Sequence, residues 1–314
     1  MAVIGAGRWG QNIVRTFHEL GALAAVADSD AARLLAAEAM APGVATTTSI
    51  EEAFAAAPAV AIATPVPTHF ALAKRALDAG KDVFVEKPLT LDPAQAMQLA
   101  DCARANERIL MVGHMLLYQP AIDFIKDLLD RQVYGRPYFM DQVRRNLGTI
   151  RLHENVLFSF GVHDLAVLQY LIGSKPSSIQ AVGQACLNAG IEDSVSVHMT
   201  YPDGAQAHLA VSWLWPQKER RLTVGCERGF ILYDELSHRV LGTDASANSL
   251  GQVHDADLSL LFEAPQEPLE LELLHFLDCV EMRKNPKSGP EHAVEVVELL
   301  SEIQELLDRG KGDR

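Results

Sequence analysis

A short apolar run, Ala2-Val3-Ile4, leads into six residues that narrow the choice of fold more than any others in the chain: Gly5-Ala6-Gly7-Arg8-Trp9-Gly10. Beyond them Ile13, Val14, Phe17 and Leu20 recur at helical spacing. A G-x-G-x-x-G between strand and helix divides its work. Gly5 permits the tight turn, Gly7 leaves room for a pyrophosphate against the backbone, and Gly10 lets the helix pack close to the strand. The helix start then offers free N–H groups and a partial positive charge to phosphates. The second strand, "ALAAVADSD", ends at Asp28, about 20 residues past the glycines, where an acid meets a ribose. Asp30 is placed to cap the helix that begins at Ala31. Asp28 is followed by Ser29, not by an arginine, which predicts NAD over NADP: a carboxylate facing the 2′-phosphate repels it.

Three more apolar strands follow, at 59–65, 82–88 and 108–114, with helical stretches at 70–79 and 93–106 between them. Strands alternating with helices predict a doubly wound parallel sheet, whose ligands bind at the carboxyl ends of the strands. Thr64, Pro65, Glu86, Lys87 and His114 all stand at such ends. In "VFVEKPLT" the run Val83-Phe84-Val85 breaks at Glu86 and Lys87, and Pro88 fixes the turn, a cis Lys87–Pro88 bond being one way to make it.

The 314 residues are enough for two domains, divided here as 1–118 and 119–314, with the C-terminal helix free to return toward the first. After Pro120 comes a helix to about 131, then "RPYFMDQVRRNLG" and a helix from about Phe160 to Ile172. Period-two strands follow. Val195, Val197 and Met199 alternate with Ser194, Ser196 and His198, and Tyr201-Pro202-Asp203-Gly204 turns the chain into "AQAHLAVSW". "RLTVGCE" and "GFILYDE" extend the sheet, and helices near 268–283 and 290–308 close the chain. The fold class expected is α/β: a Rossmann sheet plus an α+β domain with a large, open-faced, mostly antiparallel sheet. Gln206, His208 and Ser212 leave one sheet face nearly free of charge, which suits assembly into a homodimer or homotetramer.

A net charge of −14 argues against nucleic acid or anionic lipid as partner, and no apolar run is long enough to span a membrane. Cys102, Cys186, Cys226 and Cys279 lie far apart, so they read as reduced, buried thiols of a cytoplasmic protein. With no H-E-x-x-H among the histidines, no metal site is expected.

"GAGRWG" (5–10), "ATPVPTH" (63–69), "EKP" (86–88) and "GVHD" (161–164) together resemble the glucose–fructose oxidoreductase / inositol dehydrogenase / MocA family over essentially the whole chain. The resemblance implies an NAD(P)-linked oxidoreductase acting on a sugar or polyol hydroxyl, with Lys87 and His163 as catalytic residues. It implies cofactor contacts at Gly5, Gly7, Arg8, Trp9, Gly10, Asp28, Thr64, Pro65, His69, Glu86 and Lys87. Many members carry Asp four residues before the histidine; here that position is Ser159, so either His163 lacks a carboxylate raising its basicity or Asp164 or another group substitutes. "VGHMLLYQP", "RRNLGTIRLHENVLFSFGVHD" and "VSWLWPQKERRLTV" resemble the branch that oxidises UDP-N-acetylglucosamine at the 3-hydroxyl. The substrate residues expected are Tyr118, Arg144, Asn146, Arg151, Asn155, His163 and Asp164, with the arginines on the UDP phosphates, since guanidinium forks pair with phosphate oxygens. Other substrates (a free sugar, an inositol, a ketosugar) and a non-catalytic NAD-binding regulator are the alternatives.

Overall fold

Three helices of the first half, Ala31–Met40, Ile50–Ala56 and Pro93–Ala105, start where a side chain is placed to accept an orphan backbone N–H. Asp30 accepts from Ala32, Ser49 from Glu52, and Asp92 from Ala94 with Pro93 at the first helical position. A computed structural model describes residues 1–264 and 268–312. Its first half reads β1 (Ala2–Ile4), α1 (Gly10–Glu19), β2 (Ala25–Ala27), α2 (Ala31–Met40), β3 (Ala45–Thr47), α3 (Ile50–Ala56), β4 (Ala59–Ile62), α4 (His69–Asp78), β5 (Asp82–Glu86), α5 (Pro93–Ala105) and β6 (Leu110–Gly113). All six strands are parallel, in the order β3-β2-β1-β4-β5-β6. The order reverses between β1 and β4, the switch point at which such sheets open a crevice. β1, β2 and β4 are buried along their whole length, as strands covered on both faces must be. β3 has no apolar run; its Ala45-Thr46-Thr47 is partly exposed at the sheet edge, and sequence periodicity did not mark it.

The later part is α6 (Pro120–Asp130), β7 (Pro137–Arg145), α7 (Val162–Ile172), β8 (Ser178–Gln184), β9 (Ser194–Thr200), β10 (Gln206–Ser212), β11 (Glu219–Cys226), β12 (Gly229–Asp234), β13 (Arg239–Thr243), β14 (Ser246–Ala247), β15 (Val253–His254) and β16 (Ser259–Glu263). Eight strands form one sheet, β16-β13-β12-β11-β7-β10-β9-β8, in which β7 and β10 are parallel and every other pair is antiparallel. The expected turn at 201–204 joins β9 to β10, with the Gly204 N–H donating to the Tyr201 carbonyl. Ala207, Leu209 and Val211 are buried, while His208 lies on the other face beside His198, their Nδ1 atoms 3.1 Å apart. On that same face the Ser194 and Ser212 hydroxyls bond at 2.6 Å.

Two helices end the chain: α8 (Pro268–Met282) and α9 (Pro290–Gly312). The chain divides into Met1–Met115 with Glu267–Glu298, and Leu116–Gln266 with Leu299–Arg314. The first division falls three residues before the expected one, and α8 with the start of α9 belongs to the first unit. The reason is apolar burial. Phe276 of α8 sets its ring edge-on to Phe84, and Ala293, Val294 and Val297 of α9 join the core of the parallel sheet. The cysteines differ from the expectation: Cys226 and Cys279 are buried, but Cys102 is half-buried and Cys186 exposed. Among the described residues no helix is long and apolar enough to cross a membrane.

Candidate active site

The glycine loop is built as its motif requires. Gly5 has φ +96°, and a Cβ there would sit 2.8 Å from the Ala63 carbonyl oxygen. A Cβ on Gly10 would come within 2.0 Å of the Gly5 oxygen, so any side chain would push α1 off the loop. Gly7 faces open space: a cavity of about 420 Å³ lined by Gly5, Gly7, Arg8, Trp9, Asp28, Thr64 and Pro65 among others. That volume and the bare Gly7 backbone fit a dinucleotide lying over the switch point. Asp28 serves the loop as well as the cavity. One carboxylate oxygen accepts the Ala6 N–H at 2.7 Å and the other the Asp30 N–H at 2.9 Å, leaving further lone pairs for ribose hydroxyls.

Sequence reasoning missed Arg33. Its guanidinium, half exposed, lies 3.6 Å from the Asp28 carboxylate and lines the same cavity. No arginine follows Asp28 directly, but the first turn of α2 folds one back onto it. The available signal was helical geometry: a residue in the first turn after a strand end points back toward that end. NAD remains favoured by Asp28, with Arg33 softening the repulsion of a 2′-phosphate. Arg33→Ala should therefore widen the preference for NAD over NADP by about five- to tenfold, on the order of 1 kcal/mol for a solvated charge contact. Titration of both cofactors against both proteins measures it.

At the end of β5, the Trp9 indole N–H donates to one Glu86 oxygen at 2.5 Å and the Lys87 backbone N–H to the other at 3.2 Å. The glycine loop and the Glu86-Lys87-Pro88 turn are thus tied together. Burial pushes the Glu86 acid up to about 7, against the pull of the Trp9 N–H and the Lys87 charge. The Lys87–Pro88 peptide is cis. The Thr68 hydroxyl donates to the Pro65 carbonyl, so Thr64 must be the donor in its 2.7 Å bond to Thr68. His69 opens α4. It is buried, with its ring nitrogens 2.8 Å from the Thr64 carbonyl and 2.9 Å from that of Pro88. Burial lowers its pKa, and a neutral ring donates to only one of the two carbonyls at a time. His69 braces the two turns through these carbonyls.

The second unit holds the remaining candidates. His163 is partly exposed in the first turn of α7, straight after a π-helical turn at Leu157–Gly161. Asp164 is fully buried. The Arg144 Nε donates to both its oxygens at 2.9 Å and the Gln142 amide to one at 2.8 Å. The other end of Arg144 forks onto Glu235 at 3.1 and 2.6 Å, and Arg220 adds a third contact to Glu235 at 3.0 Å. So Arg144 and Asp164, both expected to meet substrate, are bound to each other inside the domain. Strand alternation turns the Arg144 side chain of β7 inward, which a count of arginines cannot reveal. Asn155 is likewise engaged: its amide donates to Glu192 and Gln304, each at 2.8 Å, and its oxygen accepts the Phe158 N–H. Tyr118 is buried. Ser159, where many relatives have the acid, is buried with its hydroxyl 3.5 Å from the Val156 carbonyl. Arg145 pairs with Glu219 at 2.9 Å and lies 3.9 Å over the Trp215 ring. Arg151 is half exposed, with Glu154 at 3.6 Å, and with Asn146 it remains a candidate for substrate.

A family model described as an oxidoreductase family with NAD-binding Rossmann fold matches residues 1–114, and one for the GFO/IDH/MocA C-terminal domain matches 124–232. UDP-N-acetylglucosamine 3-dehydrogenase of Acidithiobacillus ferrooxidans is 30% identical over 286 residues, 88% of this chain and 87% of that one. The scyllo-inositol 2-dehydrogenase (NAD(+)) of Bacillus subtilis is 27% identical over 232 residues, 70% of this chain and 66% of that one. A solved structure of the Acidithiobacillus enzyme superposes with a TM-score of 0.89 at 25% identity, covering 98% of this chain and 97% of the other.

Proposed function

Because the chain belongs to the glucose–fructose oxidoreductase / inositol dehydrogenase / MocA family of NAD-linked dehydrogenases acting on CH–OH groups, we propose that its substrate is a UDP-sugar, oxidised at a secondary hydroxyl, with the 3-hydroxyl of UDP-N-acetylglucosamine as first choice. The observation that carries this reading is the 30% identity to a UDP-N-acetylglucosamine 3-dehydrogenase along 88% of the chain. Similarity confined to a Rossmann domain would say nothing about the sugar.

When bound, NAD supplies the hydride acceptor. The chain does the rest. The Gly5–Gly10 loop and the α1 N-terminus bind the pyrophosphate, and Asp28 the adenosine ribose. Glu86 holds the Trp9 indole and the Lys87 backbone, which sets the turn that presents the Lys87 side chain. In this reading His163 takes the hydroxyl proton and the Lys87 ammonium stabilises the alkoxide as it forms. Asp164 keeps its carboxylate on Arg144, so it supports His163 by fixing the first turn of α7 and not by direct contact with the ring.

A second reading, a cyclic polyol as substrate, is favoured by one observation: Arg144, one of the two expected phosphate ligands, and its neighbour Arg145 are both engaged by carboxylates. Free UDP separates the two. Under the first reading UDP competes with the sugar nucleotide, and Arg151→Ala raises KM more than it lowers kcat, the pattern of lost ground-state binding. Failure of UDP to compete at about millimolar concentration, with good turnover of an inositol or free sugar, selects the second.

A further inference from the structure

Alternate residues of a strand share a face, so Asp82, Phe84 and Glu86 line one side of β5. α8 runs antiparallel along that side. Arg283, just past its end, donates to Asp82 at 2.8 Å; Phe276 meets Phe84 with ring centroids 5.9 Å apart; Glu272, one turn earlier, comes opposite Glu86. Glu272 is wholly buried, and neither of its carboxyl oxygens has a hydrogen-bond partner among the described residues. A carboxylate cannot be left so, because an unpaired buried charge costs far more than keeping the proton. Burial, with the Glu86 charge adding, accordingly holds the Glu272 acid well above its ordinary range.

Other ionisable groups surround this strand end. Lys87 follows Glu86 directly. His114, at the end of β6, is buried with both ring nitrogens lacking a hydrogen-bond partner among the described residues, and its ring lies 5.6 Å from that of His292 on α9. Burial, aided by His292 and Lys87, lowers the His114 pKa far enough to keep the ring neutral. His69 of α4 stands beneath Pro88. Gly113, opposite Glu86 in the β5–β6 register, has so little room that a Cβ there would lie 3.1 Å from the Glu86 carboxylate. Half-buried Glu86 therefore has a neutral acid opposite it, the Trp9 indole and the Gly113 backbone against it and Lys87 beside it, with the neutral His114 ring next along β6.

A dinucleotide laid from Asp28 across the glycine loop passes the ends of β2, β1 and β4 and next meets that of β5, where the Trp9 indole already joins the loop to Glu86. We propose that Glu86 is a proton-linked counter-charge to the oxidised cofactor: it releases a proton when the positively charged NAD⁺ ring binds and regains one when the ring becomes neutral. In the overall reaction an alcohol and NAD⁺ give a carbonyl, NADH and one proton. The hydride carries two electrons from carbon, the hydroxyl supplies the proton, and Glu86 retains a proton in the site until NADH leaves. This inference rests on NAD as cofactor and on no choice of substrate.

Binding alone tests it. Affinities of the full chain for NAD⁺ and NADH are measured calorimetrically from about pH 5.5 to 8.5, in buffers of different ionisation heat so that released protons are counted. The Glu86 acid, near 7 in the free protein, is lowered by a bound cation, so NAD⁺ should bind about tenfold more tightly as pH rises through neutrality, with proton release. NADH should show neither effect. Glu86→Gln should flatten the NAD⁺ profile. Glu272→Gln should leave its midpoint in place, since that carboxyl is already uncharged. Equal pH profiles for NAD⁺ and NADH, a profile that survives Glu86→Gln, or a midpoint moved by about a unit in Glu272→Gln would each overturn the proposal.

Discussion

Lys87→Met and His163→Ala should each lower turnover by about 10²–10⁴-fold, the range over which a positioned base or a charge on the developing oxyanion acts. NAD affinity should stay within about threefold, ~0.7 kcal/mol, because the proposed function assigns the dinucleotide to the cavity lined by the glycine loop and Asp28. The division of labour follows from what each residue has around it. Lys87 stands next to Glu86, whose carboxylate, when ionised, favours the ammonium form and suits Lys87 to stabilise an alkoxide. Imidazole is the side chain whose unperturbed ionisation lies closest to neutrality, which suits His163 to the part of base with Ser at position 159. Steady-state kinetics with a separate NAD titration decide the matter. A variant that retains more than about a tenth of wild-type turnover, a barrier change under ~1.4 kcal/mol, removes its residue from the chemistry.

What could be read in advance was whatever depends on local pattern. The glycine loop, the polar strand ends and the alternation of β9 and β10 are written within windows of a few residues, and the fold follows them. Side-chain partners separated by long stretches of sequence were not legible. Arg144 looked like a phosphate ligand because it stands beside Arg145 and near Arg151, yet its partners, Asp164 and Glu235, are 20 and 91 residues away. His69 belonged to a recognisable motif, but its work is to join Thr64 to a Pro88 carbonyl 19 residues on. Glu272 sits in an apolar helical stretch, Leu271 to Leu274, where one acid reads as an ordinary exposed position. Only the pairing of α8 with β5 reveals it as a buried acid.

Arg144→Ala should be the most damaging change in the second unit, costing about 3–5 kcal/mol of its stability, as removal of one partner from a buried ion pair does. Arg144 makes four hydrogen bonds that fix the geometry between β7, α7 and the end of β12, and nothing else described reaches both Asp164 and Glu235. Without it Glu235 keeps Arg220, but among the described residues Asp164 retains only the Gln142 amide. Burial already raises the Asp164 acid despite Arg144; with the arginine gone the carboxyl must take a proton or stay charged in an apolar setting. A carboxyl whose folded pKa lies above its unfolded value destabilises as pH rises, because the unfolded chain ionises first. The deficit of Arg144→Ala against wild type should therefore be small near pH 4 and grow toward pH 7, about 1.4 kcal/mol for each pH unit between the unfolded and folded values. Asp164→Asn in the Arg144→Ala background should recover part of the loss at pH 7 and little at pH 4. Activity should fall through kcat, since α7 and its His163 lose their anchor, with less change in KM. Urea denaturation of the single and double variants at the two pH values reads the stability. A deficit independent of pH, or a loss confined to KM as a phosphate ligand would give, would show that Arg144 acts on the substrate and not on α7.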